Sequence, residues 1–343
     1  MLPEILSDPF GERSPMLARK PLQLLGGRFR FDSNSPELLR LVDSAYAGLP
    51  RHWLSTEAPE LRVSLLLTPS PKARASAGVQ RTLNRSEPPP VAMLHGAGLL
   101  GGATASSNAV VMSPREGAAL VVVSPRMLQF PYHTRYELIE FAVFTLAARA
   151  QKLVPLHAAC VGLGGRGILL MGPSGAGKST VALHCLLSGL DFLAEDSVFV
   201  APDTMLATGI ANFLHVRADS LGWLGRSREA AAIARSPVIR RRSGVKKFEV
   251  DLRRERFQLA KSPLRIVGIV FLSSQKAGAH PLLKPLSKSD LRANLAFEQA
   301  YGASQPQWRT FDKNISRLAA FELRRGRHPL EAVEALRSLL ASP

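Results

Sequence analysis

The sequence predicts an α/β fold for its second half, preceded by an N-terminal α+β domain, and three observations carry that prediction. A short apolar run at 168–171 leads into a glycine-rich loop and then a helical pattern closed by Gly189. Another apolar run at 192–194 follows, so strand, loop, helix and strand alternate as in an α/β domain. Upstream, short apolar runs broken by glycines between 91 and 125 read as strands of a separate sheet.

Composition agrees with a globular chain of two parts, taken as 1–150 and 151–343. Of 343 residues 46% are hydrophobic and 21% charged, which excludes general disorder. Two cysteines, Cys160 and Cys185, exclude a disulfide scaffold and read as buried packing in a reducing compartment. Residues 1–24 mix acids, bases and prolines and do not read as a signal peptide. The longest apolar helical stretch, 136–150, contains Glu137, Glu140 and Arg149 and is too short to span a bilayer. The expectation is a soluble cytoplasmic protein with no membrane partner. A net charge of +17 suggests an anionic partner without naming one.

Taken in order, residues 1–25 hold four prolines and read as an irregular arm. Residues 28–32 alternate as a strand, and 35–46 read as a helix with Ser35 as N-cap and Pro36 at its first position. A strand at 61–68 precedes a linker rich in Ser, Pro, Arg and Lys at 69–90. Residues 137–149 carry apolar side chains at helical spacing. Residues 156–163 read as one strand. Residues 315–323 and 329–340 show helical periodicity, the latter with Leu330, Val333, Leu336 and Leu340 on one stripe.

The loop Gly172-Pro173-Ser174-Gly175-Ala176-Gly177-Lys178-Ser179-Thr180 satisfies G-x-x-x-x-G-K-[ST]. Glycines let the backbone curl so that successive N–H groups face one anion, and the helix that begins there adds its positive end. Lys178 then reaches the phosphates and Ser179 ligates Mg²⁺. The expected ligands are therefore ATP and Mg²⁺. A transporter-ATPase reading lacks its signature and Walker B strand, and a GTPase reading lacks N-K-x-D. Glu195 and Asp196 stand 16 and 17 residues after Ser179, at the end of the 192–194 strand. Carboxylates there hold Mg²⁺ or accept a proton from an attacking hydroxyl; on their own they also fit a solvated turn. A lone histidine such as His157 on an apolar strand is more often a core residue.

Three elements agree in order and spacing with a known family. His157-Ala-Ala-Cys-Val-Gly, then Gly167-Ile-Leu-Leu-Met-Gly-Pro-Ser-Gly-Ala-Gly-Lys-Ser-Thr, then Ser188-Gly-Leu-Asp-Phe-Leu-Ala-Glu-Asp-Ser-Val resembles the catalytic domain of HPr kinase/phosphorylase. That family is similar in its P-loop core to ATP-dependent phosphoenolpyruvate carboxykinase. The resemblance implies a P-loop kinase core, with Asp196 as the base toward a substrate serine and His157 near the transferred phosphate. It implies Glu195, Asp196 and Ser179 as the metal set and a homo-oligomer as the assembly. His215-Val-Arg-Ala218 stands where the family has Glu-x-Arg-Gly, so His215 replaces a metal-ligating Glu. Residues 1–150 and the basic stretch after 218 do not match the family. Some relatives of this kind act beside peptide-modification clusters on a precursor peptide.

Residues 221–262 hold twelve cations and four acids, close to half the chain's net charge. They fit a solvated surface, a cap meeting phosphate or an acidic substrate, or a nucleic-acid face. The last lacks aromatic interleaving and any recognised motif. One cation among Arg240 to Lys247 is a candidate to stabilise the transferring phosphoryl group. The expected activity is transfer of the ATP γ-phosphate to a serine hydroxyl of a protein or peptide. The alternatives are a small-molecule kinase and a non-catalytic nucleotide-binding regulator.

Overall fold

In the computed structural model the described residues are 18–55, 57–68, 88, 92–104, 108–254 and 257–342. Most of the expected arm at 1–25, and nearly all of the linker at 69–90, lie outside them. The chain divides into two compact units: Met1–Gln23, Gly27–Ala47 and Pro59–Ala150 form one, and Leu24–Gly26, Gly48–Ala58 and Gln151–Pro343 the other. Segments 24–26 and 48–58, assigned to the N-terminal part on sequence, thus belong with the second unit. His52 anchors the longer one. Its Nε2 donates to the Ala260 carbonyl (2.9 Å), so its Nδ1 accepts from the Thr208 hydroxyl (2.8 Å).

The first unit holds strands β1 (Ala18–Leu24), β2 (Gly27–Ser33), β3 (Glu60–Leu67), β4 (Ala92–Gly96), β5 (Leu99–Thr104), β6 (Asn108–Ser113) and β7 (Ala118–Val123). They form one mixed sheet in the order β1-β2-β3-β7-β6-β5-β4. Burial alternates along the strands, so Phe29, Phe31, Val63, Leu65, Val110, Met112, Val121 and Val123 are buried. Helices Pro36–Tyr46 and Glu140–Ala150 pack on this sheet. A π-helical stretch, Thr134–Ile139, leads into the second of them, where sequence periodicity had suggested regular helix. Ser35 stands at the N-cap, but its hydroxyl donates to Glu37 (2.7 Å) and caps no backbone N–H.

The second unit holds β8 (Val154–Leu156), β9 (Ala159–Leu163), β10 (Arg166–Met171), β11 (Asp191–Ala194), β12 (Val198–Ala201), β13 (Leu206–Gly209), β14 (Phe213–Val216), β15 (Val238–Arg240), β16 (Lys246–Asp251), β17 (Leu264–Lys276), β18 (Leu283–Pro285) and β19 (Ala319–Arg325). The main sheet runs β11-β9-β10-β17-β13-β12-β8, with β19 also on β17 and β18 on β19. Its centre is the parallel trio β10, β17 and β19. Strand β10 is buried on both faces. Ile168 and Leu170 enter one core with helices Lys178–Leu187 and Pro329–Ala341; Leu169 and Met171 enter the other with helices Lys288–Glu298 and Trp308–Ile315. A small antiparallel sheet, β14-β16-β15, stands beside the first core. The chain is therefore a mixed α/β protein. No helix among the described residues is long and apolar enough to cross a membrane.

Three sequence expectations need correction. The single strand at 156–163 is two, β8 and β9, which pair with different neighbours, and His157 lies in the break. The pattern at 315–323 is not a helix over its length: helix Trp308–Ile315 ends there, and β19 takes most of the rest because it completes the parallel trio on β17. Leu330 is 47% exposed and lies off the buried stripe of Val333, Leu336 and Leu340.

Candidate phosphate-transfer site

Strand β10 ends at Met171, and the loop 172–177 carries the chain into helix Lys178–Leu187, with Gly177 at its N-cap. Two glycines are required by geometry. Gly172 has φ +136°, and a Cβ there would sit 2.8 Å from the Leu272 carbonyl on β17. Gly177 has φ +102°, a region L side chains rarely adopt. Lys178 is buried, and its ammonium donates to the carbonyls of Gly172 (2.5 Å) and Pro173 (3.4 Å) at the loop's mouth. Burial pushes its pKa down, opposed by the charges of Asp196, Glu298 and Glu195.

The Ser179 hydroxyl donates to Glu195 Oε1 (2.7 Å). Glu195 Oε2 accepts from both the backbone N–H (2.8 Å) and Nδ1 (2.9 Å) of His215. The other ring nitrogen of His215 lies 3.4 Å from Glu249 Oε1, because β14 and β16 pair His215 with Glu249. Burial opposes the charge on His215, but hydrogen bonds and charge from Glu195 and Glu249 outweigh it and raise its pKa to about 9. Burial likewise opposes the Glu195 carboxylate, and the His215 contacts overcome it and lower the pKa. His215 thus sits buried between two carboxylates, whose contacts favour its charged form.

Asp196 points elsewhere. Its Oδ1 is 2.9 Å from His157 Nε2 and its Oδ2 3.7 Å from Arg241 Nη2. Burial pushes this carboxyl up, but the His157 hydrogen bond and charge, then Arg241 and Lys247, hold it well below the usual carboxylate range. Gln299, only 3% exposed, clamps the His157 backbone: His157 N–H donates to its Oε1 (2.7 Å) and its Nε2 donates to the His157 carbonyl (3.0 Å).

His157, Lys178, Ser179, Glu195, Asp196 and Arg241 line one open cleft of about 870 Å³ at the carboxyl ends of β10, β17 and β19, whose lining does not include His215, Glu249 or Gln299. Of the residues expected from sequence, His157, Lys178, Ser179, Thr180, Glu195 and Asp196 line it together with the loop residues 174–177. Gly172 and Pro173 enter through their carbonyls on Lys178. The expected metal set is only partly assembled: Ser179 and Glu195 touch, while Asp196 faces His157 and Arg241. Among the described residues no group of three or more His, Cys, Asp or Glu side chains is arranged to hold a metal ion. Within the basic stretch, Arg241 and Lys247 line the cleft. Cys160 and Cys185 are buried, with thiol pKa values pushed up by burial, for Cys185 to about 12. Sequence reading missed Gln299 and Glu249, each far along the chain from its partner. No local pattern marks either.

No protein-family model and no curated protein matches the chain. Among solved structures it is similar to the HPr(Ser) kinase/phosphatase from Coxiella burnetii, at 12% identity and a TM-score of 0.28, over 54% of this chain and 88% of that one.

Proposed function

We propose that the protein is an ATP- and Mg²⁺-dependent kinase that transfers the γ-phosphate to a serine hydroxyl of a protein or peptide. The observation that carries this reading is the contact of Asp196 with His157 in the same cleft as the glycine-rich loop and Lys178. Lys178 and the loop hold the phosphates. Ser179 and Glu195 are hard oxygen donors in contact, the donor type Mg²⁺ takes, and would hold it, with Asp196 lining the same cleft. When bound, Mg²⁺ neutralises charge on the phosphate oxygens.

The serine oxygen attacks the γ-phosphorus, the bond to the bridging oxygen breaks, and ADP leaves. Asp196 orients the hydroxyl and receives its proton. Its depressed pKa keeps it a carboxylate at neutral pH, able to accept that hydrogen bond. His157 fixes one carboxylate oxygen. Arg241, in the turn after β15, and Lys247, on β16, line the same cleft and would offset charge on the transferred group.

The test uses the full chain, radiolabelled ATP with Mg²⁺, and panels of serine peptides and of hydroxylated metabolites. Asp196→Asn should slow transfer by about 10²–10⁴ while leaving ATP affinity within a few-fold. Undiminished transfer in Asp196→Asn removes the base assignment. Labelling of metabolites but no peptide gives the small-molecule kinase, and ATP binding without transfer to either panel gives the regulator.

A further inference from the structure

The lining of the cleft also includes Trp223, Arg324 and His328, to which the proposed phosphate chemistry gives no role. Trp223 sits in a short 3-10 turn, Gly222–Leu224, and is half-buried. His328 caps the C-terminal helix Pro329–Ala341. The Leu330 N–H donates to His328 Nδ1 (3.2 Å), so the ring proton lies on Nε2 and is donated to the Trp223 carbonyl (3.2 Å). The indole meets the His328 ring edge-on at 5.5 Å, and that ring meets His184 of the loop helix edge-on at 5.5 Å. Trp223 is thereby held, through His328, against the helix that begins at the phosphate loop. Arg324, at the carboxyl end of β19, also lines the cleft, and its Nε is buried with no hydrogen-bond partner among the described residues.

A fixed indole and an unpaired planar cation lining one open cleft suit a flat heterocycle with acceptor atoms on its edge. The cleft volume lies within the roughly 300–1,000 Å³ range of small-molecule sites. We propose that Trp223 and Arg324 form the site for the purine base of the nucleoside triphosphate, with His328 as the residue that positions Trp223. This rests on the phosphate-loop reading above. The base stacks on the indole, and Arg324 donates to a ring nitrogen or packs on the opposite face.

The experiment measures ATP and inorganic tripolyphosphate binding by calorimetry on the full chain. Tripolyphosphate carries the phosphates without the base. Wild type should bind ATP at least tenfold more tightly than tripolyphosphate. Trp223→Ala and Arg324→Ala should each weaken ATP about tenfold to a hundredfold and leave tripolyphosphate within twofold, which also shows that the variants are folded. His328→Ala should weaken ATP less than Trp223→Ala. In a Trp53→Phe/Trp308→Phe background, ATP but not tripolyphosphate should quench the remaining fluorescence. Equal affinities in wild type, or variants that keep ATP affinity, overturn the base site alone. If wild type binds neither ligand, the phosphate-loop reading falls and the base site with it.

Discussion

Replacing His215 with Leu tests the charge arrangement under the candidate site. Glu195 and Glu249 are 6% and 9% exposed, and His215 is the cation between them. The variant leaves two buried carboxylates facing each other across an apolar side chain. Raising an imidazole from 6.5 to about 9 corresponds to roughly 3–4 kcal/mol of stability at about 1.4 kcal/mol per pH unit. Breaking a buried ion pair by removing one partner costs about 3–5 kcal/mol, which is of the same order. The assay is urea unfolding followed by circular dichroism, without nucleotide or divalent cation. His215→Leu should lose about 3 kcal/mol near neutral pH. Adding Glu249→Gln should recover part of it, because one of the two opposed charges is gone. A group whose folded pKa is raised contributes fully below its unfolded pKa and loses that contribution as pH rises through the folded one. Wild type should therefore lose this stability between pH 6.5 and about 9, and His215→Leu should show no such loss. A variant within 1 kcal/mol of wild type, or with an unchanged pH profile, would refute the reasoning.

Two further outcomes follow from buried hydrogen bonds. Gln299→Leu removes both bonds to the His157 backbone and should cost about 1–3 kcal/mol in unfolding free energy. It should also lower kcat while leaving KM for ATP unchanged, because Gln299 positions His157 and not the nucleotide; equal kcat would rule that out. His52 is held neutral by burial, with its pKa lowered, so protonation favours the unfolded chain. Stability should be full above pH 6.5 and fall as pH drops below it, and His52→Gln should lose that dependence in urea midpoints taken at pH 5.5 and 7.5.

Much of the site was legible in the linear sequence because its logic is local. Gly172 and Gly177 occupy positive-φ positions, and Lys178 and Ser179 follow at the start of a helix, so loop, lysine and hydroxyl stand within one turn of each other. The acids at 195 and 196 follow from strand β11 ending at Ala194. Adjacent acids diverge, however: Glu195 turns inward to Ser179 and His215, and Asp196 outward to His157 and Arg241. Their spacing carries no trace of that division. His215 was expected only to stand in place of the family's metal-ligating Glu; its pairing with Glu249 is known only once β14 and β16 pair.

What the sequence determined by itself was the strand-loop-helix unit and the apolar runs of both cores, since those depend on backbone preference and periodicity over a few residues. The tertiary structure alone decided which strands neighbour β10, where the break at His157 falls, and that Gln299, 142 residues away, holds that break. It alone brought His328 to Trp223 across 105 residues. Such contacts arise where distant segments bury one apolar face together, and the free energy of that burial is shared over the whole core. No short stretch of chain encodes it.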